Sequence, residues 1–300
     1  MILKRKIYKK LLEWKKECQG KKALLIEGAR RIGKSTICEE FGKNEYESYL
    51  LIDFAKKDKE VEGYFDKYLN DLDTFFMLLQ THFGKKLTER NSLIIFDEVQ
   101  MFPQARAAIK YLVADGRYDY IETGSLISIR ENVKNIVIPS EERHINMYPL
   151  DFEEFAIALE EDLLVEYIKK CFEKKEPLER SMHNQAMLLF HQYMLVGGMP
   201  MPVVAFIESK KDFTEADKEK RDILKLYRED IMKIDMRYRS KVLAIYDQIP
   251  GFLSQHEKRV VFKKLQDGSY ADQYEETFFW LSDSMISNAV SYTHLRAHET

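Results

Sequence analysis

Residues 28 to 36 carry the clearest chemistry in the chain. Gly28, Ala29, Arg30, Arg31, Ile32, Gly33, Lys34 and Ser35, followed by Thr36, fit Gly-x-x-x-x-Gly-Lys-Ser/Thr in full. Glycines let successive backbone N–H groups curl around phosphate oxygens, and a helix opening near Lys34 adds the positive end of its dipole. In that reading Lys34 bridges terminal phosphates and the Ser35 hydroxyl ligates magnesium. The bare pattern arises by chance in about one chain per hundred of this size, so its context decides its worth.

Two further segments supply that context. Leu93, Ile94, Ile95 and Phe96 form an apolar run that delivers Asp97 and Glu98 at its end. Ligands bind at the carboxyl edge of an open parallel sheet. There Asp97 would hold the cation, directly or through water, and Glu98 would take a proton from an attacking water. Thr123, Gly124 and Ser125 follow another expected strand segment, Tyr118 to Glu122, and either hydroxyl would bond a terminal phosphate or the attacking water. An arginine would complete the stabilisation of transition-state charge. Arg143 is the first choice, with Arg130 and Arg228 behind it, while Arg30 and Arg31 face phosphate, a neighbouring subunit or solvent.

These residues need a scaffold, and the pattern from residue 22 describes one. Short apolar runs alternate with helical stretches, the mark of a parallel sheet with crossover helices. The expected strands are 22–27, 49–53, 92–97, 118–123 and 144–148. A helix over 71–83 places Phe75, Leu78, Leu79 and His82 on one side, with His82 half-buried rather than a ligand. Pro103 opens, and Gly116 closes, a crossover helix containing Ile109, Leu112 and Val113. After Pro149 the chain reads as helices. Asp151 and Glu154 form a capping-box start to 152–159, 163–172 follows, and a further helix begins near Ser181. Met187, Leu188, Tyr193 and Leu195 lead into Gly197, Gly198, Met199 and Pro200, a helix stop and turn, and the methionine-rich stripe reads as core. The longest helical candidate is 214–239. At the N-terminus Ile7, Leu11, Trp14 and Cys18 form the stripe of an amphipathic helix set among lysines and Arg5. That basic face is read as solvated rather than as a nucleic-acid or lipid surface.

Taken in order, the phosphate loop, Ile-Phe-Asp-Glu-Val-Gln at 95–100, Thr-Gly-Ser at 123–125, Tyr-Pro-Leu-Asp-Phe-Glu-Glu-Phe at 148–155 and Gly-Gly-Met-Pro at 197–200 resemble a known family. They are similar to the prokaryotic AAA-type P-loop ATPases with a C-terminal domain of unknown function, the DUF 4143 group. The resemblance covers about residues 1 to 265. It implies ATP and magnesium, a catalytic Glu98, and an AAA-like sheet with a strand added between the phosphate-loop strand and the Asp-Glu strand, a place Tyr49 to Asp53 fits. It also implies a longer protein than these 300 residues, hence a truncated C-terminal domain. Residues 290–300 read as a translated sequencing adapter and are set aside.

The expected fold class is therefore α/β, a P-loop NTPase sheet with flanking helices, then a mostly helical region. The expected boundaries are an N-terminal helix to 20, the ATPase domain over 21–157, helices over 158–245 and the start of a C-terminal domain over 246–289. Composition agrees with a soluble globular chain: 45% hydrophobic residues, and 47 Lys+Arg against 50 Asp+Glu for a net charge of -3. This argues against a general polyanion binder. Cys18, Cys38 and Cys171 match no zinc or disulfide spacing, and no apolar run reaches membrane length, which points to a cytoplasmic protein. The leading reading is magnesium-dependent ATP hydrolysis coupled to movement of the helical and C-terminal parts, with a protein partner or self-association. The alternative is a nucleotide-gated interaction module with little turnover. A kinase lacks a visible acceptor site or lid, a GTPase lacks Asn-Lys-x-Asp, and DNA association rests on the N-terminus alone.

Overall fold

Every residue of Ala23–Glu27, Ser92–Asp97 and Asp119–Gly124 is buried. Strands covered on both faces need no polar alternation, which is why the first two are nearly continuous apolar runs, whereas the third buries Asp119, Glu122 and Thr123 among its residues. In the computed structural model, which describes residues 1–124, 140–233, 236–255 and 275–287, five strands form one parallel sheet. They are β1 (Ala23–Glu27), β2 (Ser48–Asp53), β3 (Ser92–Asp97), β4 (Asp119–Gly124) and β5 (Glu142–Asn146), in the order β2-β3-β4-β1-β5. The parallel α/β sheet with flanking helices is thus present, and the five expected strands agree to within two residues at their ends.

Sheet order corrects one expectation. The strand lying between β1 and β3 is β4, whereas β2, at 48–53, pairs only with β3 and forms the edge. Chain order does not set sheet order when a crossover helix is long enough to carry the chain past several strands. The twelve-residue helix between β1 and β2 is about 18 Å long, against about 14 Å for three strand spacings.

The helices of the first 222 residues, in chain order, are α1 (Ile7–Cys18), α2 (Lys34–Glu45), α3 (Lys59–Tyr68), α4 (Leu72–Phe83), α5 (Pro103–Asp115), α6 (Phe152–Ala158), α7 (Asp162–Lys174), α8 (Arg180–Val196), α9 (Pro200–Glu208) and the start of α10 (Phe213–Ile231). Pro103 sits in the first turn of α5, and Gly116 closes it at φ 77°. Asp151 and Glu154 make the reciprocal capping box of α6. His82 is half-buried on α4 and bonded to the Asp58 carboxylate at 2.9 Å. One core gathers Ala23, Leu25, Ile94, Phe96 and Tyr120 of the sheet with Phe65, Phe75, Phe76, Ile109 and Leu112 from helices. A separate core joins α6 to α10 through Leu150, Phe155, Leu189, Val203 and Phe206.

Of the methionine-rich stripe of α8, only Tyr193 packs against the core, partly buried beside Phe155. Met187, Leu188, Met194 and Leu195 are exposed, and Ala186, Leu189 and Val196 are the buried positions. The helical period admits both sets one residue apart, and small Ala186 allows the close approach. Helices α8 and α9 bend by 120° at the glycines between them. Gly197 has φ 81° and ψ −177°, a conformation open only to glycine, and a Cβ on Gly198 would strike the Leu150 carbonyl.

Residues 223–300 form a second unit. The single long helix expected over 214–239 is two, α10 and α11 (Met236–Ser254), with a turn at Met232 and Lys233. Ile231, Val242, Ile245 and Leu281 are its buried apolar cluster, Leu281 coming from α12 (Glu275–Asp283). Among the described residues no single helix is long and apolar enough to cross a membrane.

Candidate functional site

The phosphate loop joins β1 to α2, both ends being fixed by buried structure. All of β1 is buried, and α2 is anchored by Ile37, Cys38 and Phe41. Two residues in the loop take left-handed backbone, Arg31 at φ 66° and Gly33 at φ 91°. Alternating handedness of this kind turns consecutive amides inward to make an anion-binding concavity. Lys34 is 6% exposed. Its ammonium bonds the carbonyls of Gly28 at 3.0 Å and Ala29 at 2.8 Å, spanning the loop. Burial pushes its pKa below the ordinary value, against the opposing pull of the Glu98 and Asp97 charges. Arg30, Arg31 and Thr36 are exposed, while Ala29 and Ile32 are buried.

The loop meets the ends of β3 and β4 through one carboxylate oxygen. Ser35 Oγ donates to Asp97 Oδ1 at 2.8 Å, and the Thr123 hydroxyl donates to the same oxygen. Thr123 Oγ1 in turn accepts from the Glu98 amide at 3.3 Å. Glu98 stands in left-handed backbone at φ 53°, which costs a non-glycine residue about 1–2 kcal/mol. The Gln100 side-chain amide holds Glu98 by donating to its Oε2, and Gln100 itself is buried. The structure therefore brings together Lys34, Ser35, Asp97, Glu98 and Thr123. Adjacent hydroxyl and carboxylate oxygens are the hard donors that suit magnesium, which takes its other ligands from phosphate and water.

Several candidates lie elsewhere. Arg143 is inside β5, in register with Leu24, about 13 Å of strand before Gly28. Its guanidinium pairs with Glu17 at 2.7 Å, so within one chain it does not reach the loop. Arg228 pairs with Asp247 in the second unit. Ser125 and Arg130 lie outside the described residues.

With this geometry in view, comparison with known proteins is informative for two segments. Residues 20–156 match a family model described as an AAA domain, and residues 187–298 match a domain of unknown function, DUF8612. An AAA domain followed by a domain of unknown function is what the resemblance implied at that level, the matching C-terminal family carrying another number than DUF 4143. No curated protein matches the chain. Among solved structures, the chain is similar to the Aeropyrum pernix ORC1 protein in complex with DNA at 9% identity and TM-score 0.35, over 95% of this chain and 85% of that one. Domain III of the Thermotoga maritima replication initiation protein DnaA gives 14% identity and TM-score 0.38, over 72% and 90%. C. elegans PCH-2 gives 12% and 0.35, over 71% and 64%. Likenesses at these scores decide neither chemistry nor partner.

Sequence reasoning missed two groups of residues around this segment. One is Gln100, only two positions past Glu98. The other is a buried polar cluster on the opposite face of the sheet. Arg106 of α5 pairs with Glu142 through Nε at 3.2 Å and Nη2 at 2.9 Å. His144 faces Glu142 at 3.3 Å and Glu27 at 3.4 Å. Bonds to Glu142 and Glu27 raise the His144 pKa to about 9. Glu122 is fully buried, and burial, with the neighbouring Glu142 charge, drives its carboxyl well above the usual range. Although burial alone would raise Glu142, its His144 and Arg106 bonds hold it low. Polar residues at alternate positions 142 and 144 were the available signal, because strand period two puts both on one face.

Proposed function

We propose that the segment around residues 20–156 binds ATP with magnesium and hydrolyses it. The observation that carries this reading is the shared Asp97 oxygen, which brings the phosphate-loop Ser35 and the β4 Thr123 to the end of β3. In this reading the loop amides and Lys34 bind the phosphate chain, with phosphate oxygens replacing the Gly28 and Ala29 carbonyls as acceptors for the ammonium. Ser35 and Asp97 hold the cation, which when bound supplies charge neutralisation at the phosphate oxygens. Glu98, oriented by Gln100, accepts the proton of the attacking water, a contribution of about 10² to 10⁴ in rate. Thr123 links the Asp97 carboxylate to the Glu98 backbone and so senses both.

Phosphate release by the purified chain tests this directly. Glu98→Gln is expected to keep ATP affinity and lose about 10² or more in turnover, whereas Lys34→Ala loses affinity. Equal phosphate release from wild type and both variants sinks the reading. A nucleotide-gated interaction module of slow turnover is the second reading. It is favoured by the Gln100 hold on Glu98 and by the exposed apolar residues of α8. Slow hydrolysis together with nucleotide-dependent capture of a protein partner would favour it.

A further inference from the structure

The basic N-terminal segment is not simply a solvated face. Arg5, just ahead of α1, has a side chain only 6% exposed, against an equally buried Glu154 at 7%. Its guanidinium donates to two carbonyls and pairs with one carboxylate. Nη1 donates to the Ile32 carbonyl at 3.0 Å, Nη2 donates to the Tyr148 carbonyl at 2.5 Å, and Nε lies 3.3 Å from Glu154 Oε1. Glu154 is itself anchored on both oxygens, accepting from the Lys6 amide at 2.6 Å and from the Asp151 amide at 3.2 Å. Lys6 adds bonds to Asp151 and Glu153. The arm is thus fastened to the Tyr148–Phe155 motif on one side and to the phosphate loop on the other.

The Ile32 carbonyl belongs to the peptide that carries the Gly33 N–H. That peptide is trans. In a planar trans peptide the C=O and the next N–H point in opposite directions. A cation gripping the Ile32 carbonyl therefore aims the Gly33 amide away from Arg5, across the loop. Among the described residues no backbone carbonyl accepts from the amides of Arg31, Ile32 or Gly33. They are donors of the kind an anion needs. Arginine suits the task because a rigid fork can satisfy several acceptors at fixed angles, which a lysine cannot.

We propose that Arg5 is a positioning residue for the phosphate loop: it sets the Ile32–Gly33 peptide so that the Gly33 amide serves a polyphosphate, and it ties that peptide to the strand-to-helix junction at Tyr148–Glu154. This rests on the nucleotide reading above. It assigns to the N-terminal arm a role in polyphosphate recognition that no loop residue reveals.

The test compares affinity for magnesium–ATP with affinity for AMP, by competition against a fluorescent ATP analogue, at a temperature where circular dichroism shows each variant folded. Arg5→Ala is expected to weaken ATP binding about tenfold and AMP binding by a smaller factor. Arg5→Lys, able to keep one bond to the Ile32 carbonyl, recovers part of the loss. A merely structural role lowers both affinities by one factor. An ATP-to-AMP ratio unchanged in folded Arg5→Ala overturns the proposal while leaving the nucleotide reading intact. Failure of the wild type to bind ATP removes both. If Arg5→Ala does not fold, Arg5→Lys and Glu154→Gln carry the test, and an unchanged ratio in both overturns the proposal.

Discussion

Glu122 and Thr123 are neighbours on β4, yet they belong to two different polar networks on opposite faces of the sheet. Thr123 joins Ser35, Asp97 and Glu98 near the sheet edge: two hydroxyls donate to the Asp97 carboxylate, and the Glu98 amide donates to the Thr123 hydroxyl. Glu122 joins Arg106, Glu142 and His144 in the interior, and among the described residues neither of its oxygens accepts a hydrogen bond. The first network can exchange a protein partner for a ligand oxygen without creating an orphan. The second cannot, because no solvent or ligand replaces a partner once it is lost. Alternation along a strand thus lets one segment carry an exchangeable polar face and a closed polar face side by side.

If that contrast is right, mutations on the two faces fail in different ways. Asp97→Asn should lower phosphate release by about 10² or more, since cation binding and the shared acceptor go together. Its melting temperature should move by only a few degrees, which a thermal scan alongside the assay checks. Arg106→Leu should do the reverse. It leaves Glu142 buried with only half-exposed His144 as a cationic partner, and breaking a buried pair in this way costs about 3–5 kcal/mol. Urea denaturation reads that loss, while nucleotide affinity in the folded fraction should stay near wild type. A large stability loss for Asp97→Asn with little change for Arg106→Leu would dissolve the distinction.

The two faces also differed in how well the sequence foretold them. Loop, Asp-Glu pair and Thr-Gly-Ser are contiguous strings whose residue types are dictated by local chemistry, so the meeting of Lys34, Ser35, Asp97, Glu98 and Thr123 was legible before any coordinates. Strands were legible for a related reason: doubly covered strands are unbroken apolar runs, as 93–96 is. What the sequence hid depends on pairing between distant segments. Arg106 meets Glu142 only because β5 lies beside β1, and Arg5 meets Ile32 and Glu154 only because the arm folds back. The misplacement of 48–53 and of the α8 apolar face has the same origin, since neither sheet order nor the buried side of a helix apolar on two sides is a local property. Arg143 was chosen for its type, and the register of β5 sets it at the wrong end of the strand.

A smaller effect sharpens the character of the interior network. Glu122 has a folded-state pKa raised by burial, so the native chain holds a proton that the unfolded chain releases above about pH 4.3. Stability from this group is present below that pH and is lost as pH rises. Glu122→Gln removes the titration and offers an amide N–H toward Glu142. The variant should match wild type near pH 4 and exceed it by about 1 kcal/mol at pH 8 in urea denaturation. A variant less stable than wild type at pH 8 would mean that Glu122 is ionised and usefully paired.

The smallest effect concerns the rim of the same network. Both ring nitrogens of His144 face carboxylates, Nδ1 toward Glu27 and Nε2 toward Glu142, and only the imidazolium can donate to both. Its pKa is raised to about 9 from an unfolded value near 6.5, so its contribution is complete below pH 6.5 and disappears as pH climbs through 9. The ring is 45% exposed, and solvent screening keeps the contribution below about 1 kcal/mol. His144→Asn should therefore be less stable than wild type at pH 6, with the gap closing by pH 9.5. Measuring it in the Glu122→Gln background separates the two titrations, because both make the wild type lose stability in the same direction. A gap that widens with pH would show that the ring is neutral in the folded chain, and that the interior face is held by the Arg106–Glu142 pair alone.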